Sequence, residues 1–291
     1  MALSDNARGA LLLSGAMTIF VANDAAMKLA AQDIPMIQAL AVRGVLATAL
    51  FGLLAWRAGV FAKLGLTRDP KMLLRTAAEV VGSMLFMLSL AHIPLATAAA
   101  LNQAVPLLTI PFAMLLLGEK VGWRRIAALL AGFAGVILIL KPSPAGVDPW
   151  LLASFASAWI FALRDSITRM LSSSIPTVLV TLLMSASMMT VGVIGTIAIG
   201  WTPMTPHGWG LVAIATVAVA GGYTLQVAAF RVGELSLVGG FRYAGLIGST
   251  LAGWLLWDYL PDALTWTGMA LIVASGIYAL HRSRVRAGQT R

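Results

Sequence analysis

Ile19-Phe20-x-x-x-Asp24-x-x-x-Lys28, running on to Ile34-Pro35, returns as Ile160-Phe161-x-x-x-Asp165-x-x-x-Arg169, running on to Ile175-Pro176, every pair 141 residues apart with no gap. Further along, Ala96-Thr97, Pro106 and Gly118-Glu119 are answered by Leu235-Ser236, Gly245 and Trp257-Asp258 at an offset of 139. The chain therefore reads as two copies of one unit. The stretch Pro142-Ser143-Pro144-Ala145-Gly146 marks the boundary, leaving repeats over residues 1–141 and 148–282 and a basic tail over 283–291.

Composition says what each copy is made of. Hydrophobic residues are 59% of the 291 and charged residues only 11%. A soluble domain carries about 25% charged residues and could not cover this much apolar surface. The charge of +9 sits in short segments between apolar runs, which fits membrane orientation and not a nucleic-acid surface. A membrane-spanning helix needs about 20 apolar residues. Ten runs qualify: Gly9–Ala30, Pro35–Trp56, Lys71–Ala91, Pro94–Leu117, Gly122–Leu140, Pro149–Arg169, Pro176–Ile199, Pro206–Arg231, Leu235–Trp257 and Pro261–His281. They are continuous, not alternating, so the fold is an all-α membrane protein and not a barrel. Pro35, Pro94, Pro149, Pro176, Pro206 and Pro261 open spans, where a missing N–H is harmless. Pro70 falls in a loop, while Pro106 and Pro111 lie inside the fourth span and predict a kink.

With the N-terminus in the cytoplasm, most Lys and Arg residues fall on the cytoplasmic side, and Lys28 and Lys141 fall outside. Both termini are then cytoplasmic, in the plasma membrane (the inner membrane of a bacterium). Five spans per copy is an odd number, so the second copy enters the membrane from the opposite face. The expectation is ten transmembrane helices arranged as two inverted five-helix repeats, a plan that permits alternating access.

Ten spans in a 5+5 inverted repeat, basic cytoplasmic loops, and Gly118-Glu119-Lys120 closing the fourth span resemble the EamA-type members of the drug/metabolite transporter superfamily. Within it the chain is similar to the YddG-like amino-acid exporters. The resemblance implies a central cavity lined by spans 1, 3, 4, 6, 8 and 9, with spans 5 and 10 peripheral. It also implies movement of small metabolites, often outward.

Ionisable groups inside a membrane are costly and mark function by default. Asp24 reads as a proton or ammonium site, or as an ion pair with Lys28 or Arg43. Asp165 and Arg169 repeat its spacing, and an i,i+4 pair is the simpler reading. Arg164 faces either the cavity or the headgroups. Glu79, with Ser83 on its face, reads as an amine or proton site, or as a partner of Arg75. Arg242, beside Tyr243 and among glycines, could grip a carboxylate with two N–H groups or cap freed carbonyls. Asn102, Gln103, Tyr223 and Gln226 offer amide and hydroxyl groups, and Trp159, in mid-span, an aromatic wall. Ala127, Ala131 and Gly135, with Ala270 and Ala274, form small-residue faces for close packing or a dimer contact. No cysteine exists, the histidines lack metal spacing, and no phosphate loop or nucleophile elbow is present. Neither metal, cofactor nor nucleic acid is expected. The function reads as a secondary transporter of small amphipathic metabolites, an amino-acid exporter by resemblance, acting as monomer or homodimer. The rivals are a lipid-modifying membrane enzyme and a channel or structural subunit.

Overall fold

A computed structural model describes residues 4–119, 121–144, 146–172, 175–232 and 238–289. Among them are eleven α-helices and no β-strand. The helices are α1 (Asp5–Ala30), α2 (Met36–Arg57), α3 (Pro70–His92), α4 (Leu95–Asn102), α5 (Val105–Leu117), α6 (Trp123–Leu140), α7 (Pro149–Thr168), α8 (Thr177–Ile199), α9 (Pro206–Val232), α10 (Ala244–Trp257) and α11 (Ala263–Gln289). Short 3-10 turns cover Val60–Arg68 and Gly239–Tyr243. Leu235 and Ser236, the proposed counterparts of Ala96 and Thr97, lie outside the described residues, as do Lys120, Arg291 and the side chains of Arg231, Arg282, Arg284 and Arg286.

The helix ends follow local chemistry. Ser4 caps α1 through the Ala7 N–H, and Asp69 caps α3 through the Lys71 N–H at 2.8 Å. Asp148 caps α7 the same way through Trp150. A side-chain oxygen satisfies a donor that has no partner within the helix. Pro70 is the first residue of α3 and not a loop residue, because the first helical position tolerates proline. Pro106 also sits in a first turn: the fourth span breaks at Gln103-Ala104, so of the two prolines only Pro111 lies in a helix interior. The ninth span is interrupted as well, with a 3-10 turn leading into the 14-residue α10.

Eight runs are long and apolar enough to cross a membrane, α4 and α5 together counting as one. Of the ten expected spans, the sixth and ninth fall short of that measure. Ser154, Ser157, Arg164, Asp165 and Ser166 dilute α7, and the ninth span is broken. The chain is nonetheless an integral membrane protein whose regular structure, among the described residues, is helical.

Packing joins the first half of the sequence to the second. α1 lies against α9, α3 against α7, α2 against α8, α6 against α11, and α4 against α10. Two glycines make the first two contacts close. A Cβ on Gly82 of α3 would stand 2.8 Å from the Phe161 ring of α7, and one on Gly222 of α9 would stand 2.7 Å from the Phe20 ring of α1. Between α6 and α11 the close approach is made by Gly135 and Gly268: a Cβ on Gly135 would meet the Gly268 carbonyl at 2.7 Å. Gly132 and Ser275 lie on the same contact. Ala127, Ala131, Ala270 and Ala274 are exposed and point away from it. Of the expected small-residue faces, Gly135 therefore lies in this contact and the four alanines do not, because the residue that must be small is the one whose backbone is approached.

The two ends of the bundle differ. At the end holding Ala30, Ile34, Leu40, Leu90, Ile93 and Leu95, these side chains are fully or almost fully buried in one large apolar core. Toward the other end the described apolar clusters are small, Leu13 with Ala16, Met17, Ala229 and Val238, and Leu107 with Ile110, Ala128 and Ala279, with Met72 and Leu179 buried apart from them. Between them the bundle is hollow.

Candidate functional site

The hollow is a cavity of about 600 Å³, the size of a small-molecule site. Its wall takes Asn23 and Asp24 from α1, Arg43 from α2, Arg75, Glu79 and Ser83 from α3, and Asn102 and Gln103 from the break after α4. Arg164, Asp165, Thr168 and Arg169 come from the end of α7, Tyr223 and Gln226 from α9, and Arg242 and Gly245 from the start of the broken ninth span. Most of the residues singled out from sequence thus meet in one space: Asp24, Arg43, Glu79, Ser83, Asn102, Gln103, Asp165, Arg169, Tyr223, Gln226 and Arg242.

Three do not. Trp159 faces away, edge-on to Phe112 and Phe155 at centroid distances of 5.9 and 6.4 Å. Tyr243 is buried against α11, its hydroxyl lying over the backbone at Gly276. Its neighbour Arg242 takes the cavity face, since adjacent residues of a 3-10 turn point about 120° apart. Lys28 lies at the packed end, where its ammonium donates to the carbonyls of Leu90 at 2.6 Å and Ile93 at 2.8 Å and stands over Trp257.

The charges fall into two groups. The first is a closed cluster. Glu79 is only 4% exposed, and it accepts from Arg75 at 3.0 Å and from Arg164 at 3.0 and 3.1 Å. Arg164 also donates twice to Asp165, at 2.7 and 2.9 Å, and packs over the Phe161 ring. Ser83 reaches Glu79 at 3.4 Å. Two guanidiniums and two carboxylates neutralise each other, which buried charges require. Glu79 is therefore not a free carboxylate; Arg75 and Arg164 together occupy it.

The second group is open. Asn23 donates from Nδ2 to Asp24 at 2.8 Å and accepts from Arg43 at 3.0 Å. Among the described residues, neither Asp24 nor Arg43 belongs to an ion pair. The i,i+4 pairings read from sequence, Asp24 with Lys28 and Asp165 with Arg169, form in neither copy. Lys28 goes to the end of α3, and Arg169 lies 3.9 Å from Glu119. Asn23 and Arg75 carry more of the site than sequence reasoning gave them. Each lay beside a flagged acid, one position or one turn away, and that adjacency was the available signal.

The helix break is also a contact. Gln103 donates to the Arg242 backbone carbonyl at 3.1 Å, so the two interrupted spans meet at their interruptions. At their far ends, Gly118 and Asp258 both take the left-handed conformation, with φ of 64° and 50°. The next N–H in each case reaches back six residues, Glu119 to Ala113 and Tyr259 to Gly253, both at 3.1 Å. The cap geometry thus pairs Gly118 with Asp258 and Glu119 with Tyr259, one residue later than the sequence alignment does.

Comparison with known proteins agrees with this architecture. The model of the EamA-like transporter family matches residues 7–141. The pseudopaline exporter of Pseudomonas aeruginosa is 31% identical over 284 residues, which cover 95% of this chain and 96% of that protein. A riboflavin transporter of Vibrio cholerae is 33% identical over 212 residues, 70% of this chain and 68% of that one. An S-adenosylmethionine uptake transporter of Rickettsia prowazekii is 24% identical over 193 residues, 66% and 65% of the two chains. A solved crystal structure superposes with a TM-score of 0.60 at 19% identity, covering 95% of this chain and 97% of the other, and shares the fold. A cavity walled by intramembrane charge, in a chain with transporter relatives along nearly its whole length, is a transporter's and not an enzyme's: the chain belongs to the EamA-like transporter family of the drug/metabolite transporter superfamily.

Proposed function

We propose that the chain is a secondary transporter that exports small amphipathic metabolites, amino acids foremost, by alternating access between two inverted five-helix halves. The observation that carries this is the shape of the cavity: charged, central, closed at one end by an apolar core and open at the other. A carrier caught in one of its two states has this form, whereas a channel in its conducting form is open along its length.

The two-fold relation in the bilayer plane draws support from the repeated sequence and from the helix pairings. Exchanging the halves turns α1 against α9 into α7 against α3, and returns α2 against α8 to itself. The Phe20–Gly222 and Phe161–Gly82 contacts exchange in the same way. With both termini cytoplasmic, as Lys and Arg favour, the open end faces the cytoplasm and the packed end the outside. That is the loading state of an exporter. The named substrates of the relatives, an exported pseudopaline among them, support an organic metabolite as cargo. Asp24, Arg43 and Arg242 engage its charged groups, Tyr223 and Gln226 its body, and the Glu79 cluster holds α3 to α7.

The test is counterflow in liposomes: purified protein, preloaded with unlabelled amino acid, concentrates the labelled compound with saturable kinetics. Flux that rises linearly with concentration and shows no counterflow would falsify the carrier reading.

A further inference from the structure

We propose that the substrate of this cavity carries an α-amino-acid head and a second carboxylate, and so binds with a net charge of −1. This rests on the transport reading above and adds the charge class of the cargo.

The argument is a charge balance over the cavity wall. Arg75, Arg164, Glu79 and Asp165 are bonded to one another and sum to zero. Arg169 stands 56% exposed at the open mouth beside Glu119. What remains inside is Asp24, Arg43 and Arg242, and among the described residues none of the three is in an ion pair. Two cations face one anion.

Their placement gives the arrangement of groups on the ligand. Asn23 sits between Asp24 and Arg43 and hydrogen-bonds both. The amide holds an acid and a base side by side while keeping them from pairing directly. An α-amino acid offers the matching pair on a single carbon, an ammonium for Asp24 and a carboxylate for Arg43. Arg242 lies at the helix break, its backbone carbonyl held by Gln103 and its side chain on the cavity wall. It is left for a second carboxylate, which a guanidinium receives with two parallel N–H groups. A neutral amino acid would leave one guanidinium without a counter-charge, and a basic one would add a further positive charge.

Glutamate and glutamine test this directly, since they have the same shape and differ by one charge. In proteoliposome counterflow, glutamate and the longer γ-glutamylalanine should exchange at least about tenfold better than glutamine, with lysine lowest; about 1.4 kcal/mol of preference gives that ratio. Arg242→Gln should bring the glutamate-to-glutamine ratio close to one, through a larger loss of glutamate exchange than of glutamine exchange. Asp24→Asn should reduce exchange of both. Glutamine matching glutamate in the native protein, or an unchanged ratio in Arg242→Gln, overturns the charge assignment and leaves the carrier standing. Absence of exchange for every amino acid overturns both. Should Arg242→Gln fail to fold, the native protein alone decides: glutamate must raise its unfolding temperature more than glutamine does at equal concentration.

Discussion

Asp24 with Lys28, and Asp165 with Arg169, occupy the same places in the two sequence copies and have opposite surroundings. At the packed end, Lys28 is inserted beneath the last turn of α3, bonded to two carbonyls and covered by Trp257. A cation there meets both the free carbonyls and the negative end of the helix dipole. At the open end, Arg169 is mostly exposed and only loosely near Glu119. The acids differ in the reverse sense. Asp24 has no ion-pair partner among the described residues, while Asp165 is held by Arg164. A repeated spacing therefore marks equivalent positions in the fold and does not encode an equivalent bond. On the alternating-access reading proposed above, this difference is that between a shut gate and an open one.

The sharpest way to break this comparison is to remove the charge that holds the open end's interior together. Glu79→Ala leaves Arg75 and Arg164 buried without their shared carboxylate. The expected cost is about 3–5 kcal/mol, read as a lowered unfolding temperature in detergent. Asp24→Asn removes a carboxylate that, among the described residues, belongs to no ion pair, and should cost under about 1 kcal/mol. Similar losses for the two variants would mean that the free and the bound carboxylate are not distinct.

A second experiment asks whether the halves are equivalent where they look equivalent. Gly82→Ala and Gly222→Ala each push a methyl group into a phenylalanine ring, Phe161 or Phe20. Overpacking of this kind costs about 1–3 kcal/mol, and the two losses should agree within about 0.5 kcal/mol. Phe161→Leu should relieve the first and leave the second unchanged. A one-sided effect would show that only one of the two contacts is tight.

Much of this was legible in advance, and the part that was not has a physical cause. Proline at helix starts, the apolar run lengths and the repeat located the helices. Glu79, Arg242 and Asp24 were identifiable because ionised groups in lipid need a reason to be there. The direction of each side chain was not. A membrane helix is apolar both where it packs and where it meets lipid, so it carries no polar stripe from which to read a face. Trp159 was therefore assigned to the cavity and lies outside it, and of the small-residue face read on α6 only Gly135 meets α11 while Ala127 and Ala131 point away. The break at Gln103-Ala104 also escaped, because Pro106 fits a first turn as readily as a kink. Glu79 with two arginines was half visible: Arg75 stood one turn away in sequence, but Arg164 comes from the other copy.

The gate itself gives the third test. The chain has no cysteine, so a single Met87→Cys on the cavity wall near the packed end reports access through that end. Lys28→Gln removes two charge-assisted hydrogen bonds. Each is worth about 1.5–3 kcal/mol when fully buried, and less here because Lys28 is half-buried. A net loss near 1.4 kcal/mol corresponds to about tenfold faster labelling by an impermeant maleimide added on the side of the packed end. Arg169→Gln, at the equivalent position, should change that rate less than about twofold. Equal effects would remove Lys28 as the residue that holds the end shut.

The smallest effect belongs to the rim of that same end. Lys141 donates to Asp262 across the junction of α6 and α11, and the Thr265 N–H reaches the same carboxylate at 2.9 Å. The Lys141 ammonium, then Thr265, holds the Asp262 carboxyl well below the usual carboxylate range. A carboxyl depressed in the folded state adds stability above its unfolded pKa of about 4. It loses that stability as pH falls toward the folded value. Asp262 is fully exposed, so water and salt screen most of the attraction. Asp262→Asn should therefore lower the unfolding temperature at pH 7 less than any variant above. The gap to the native protein should close as pH drops from about 5 toward 3, and shrink in high salt at pH 7. A gap that is constant in pH would assign the contact to helix capping through Thr265 and not to charge. In that case the closed end owes its cohesion to Lys28 and the apolar core beneath it, with no contribution from the surface pair.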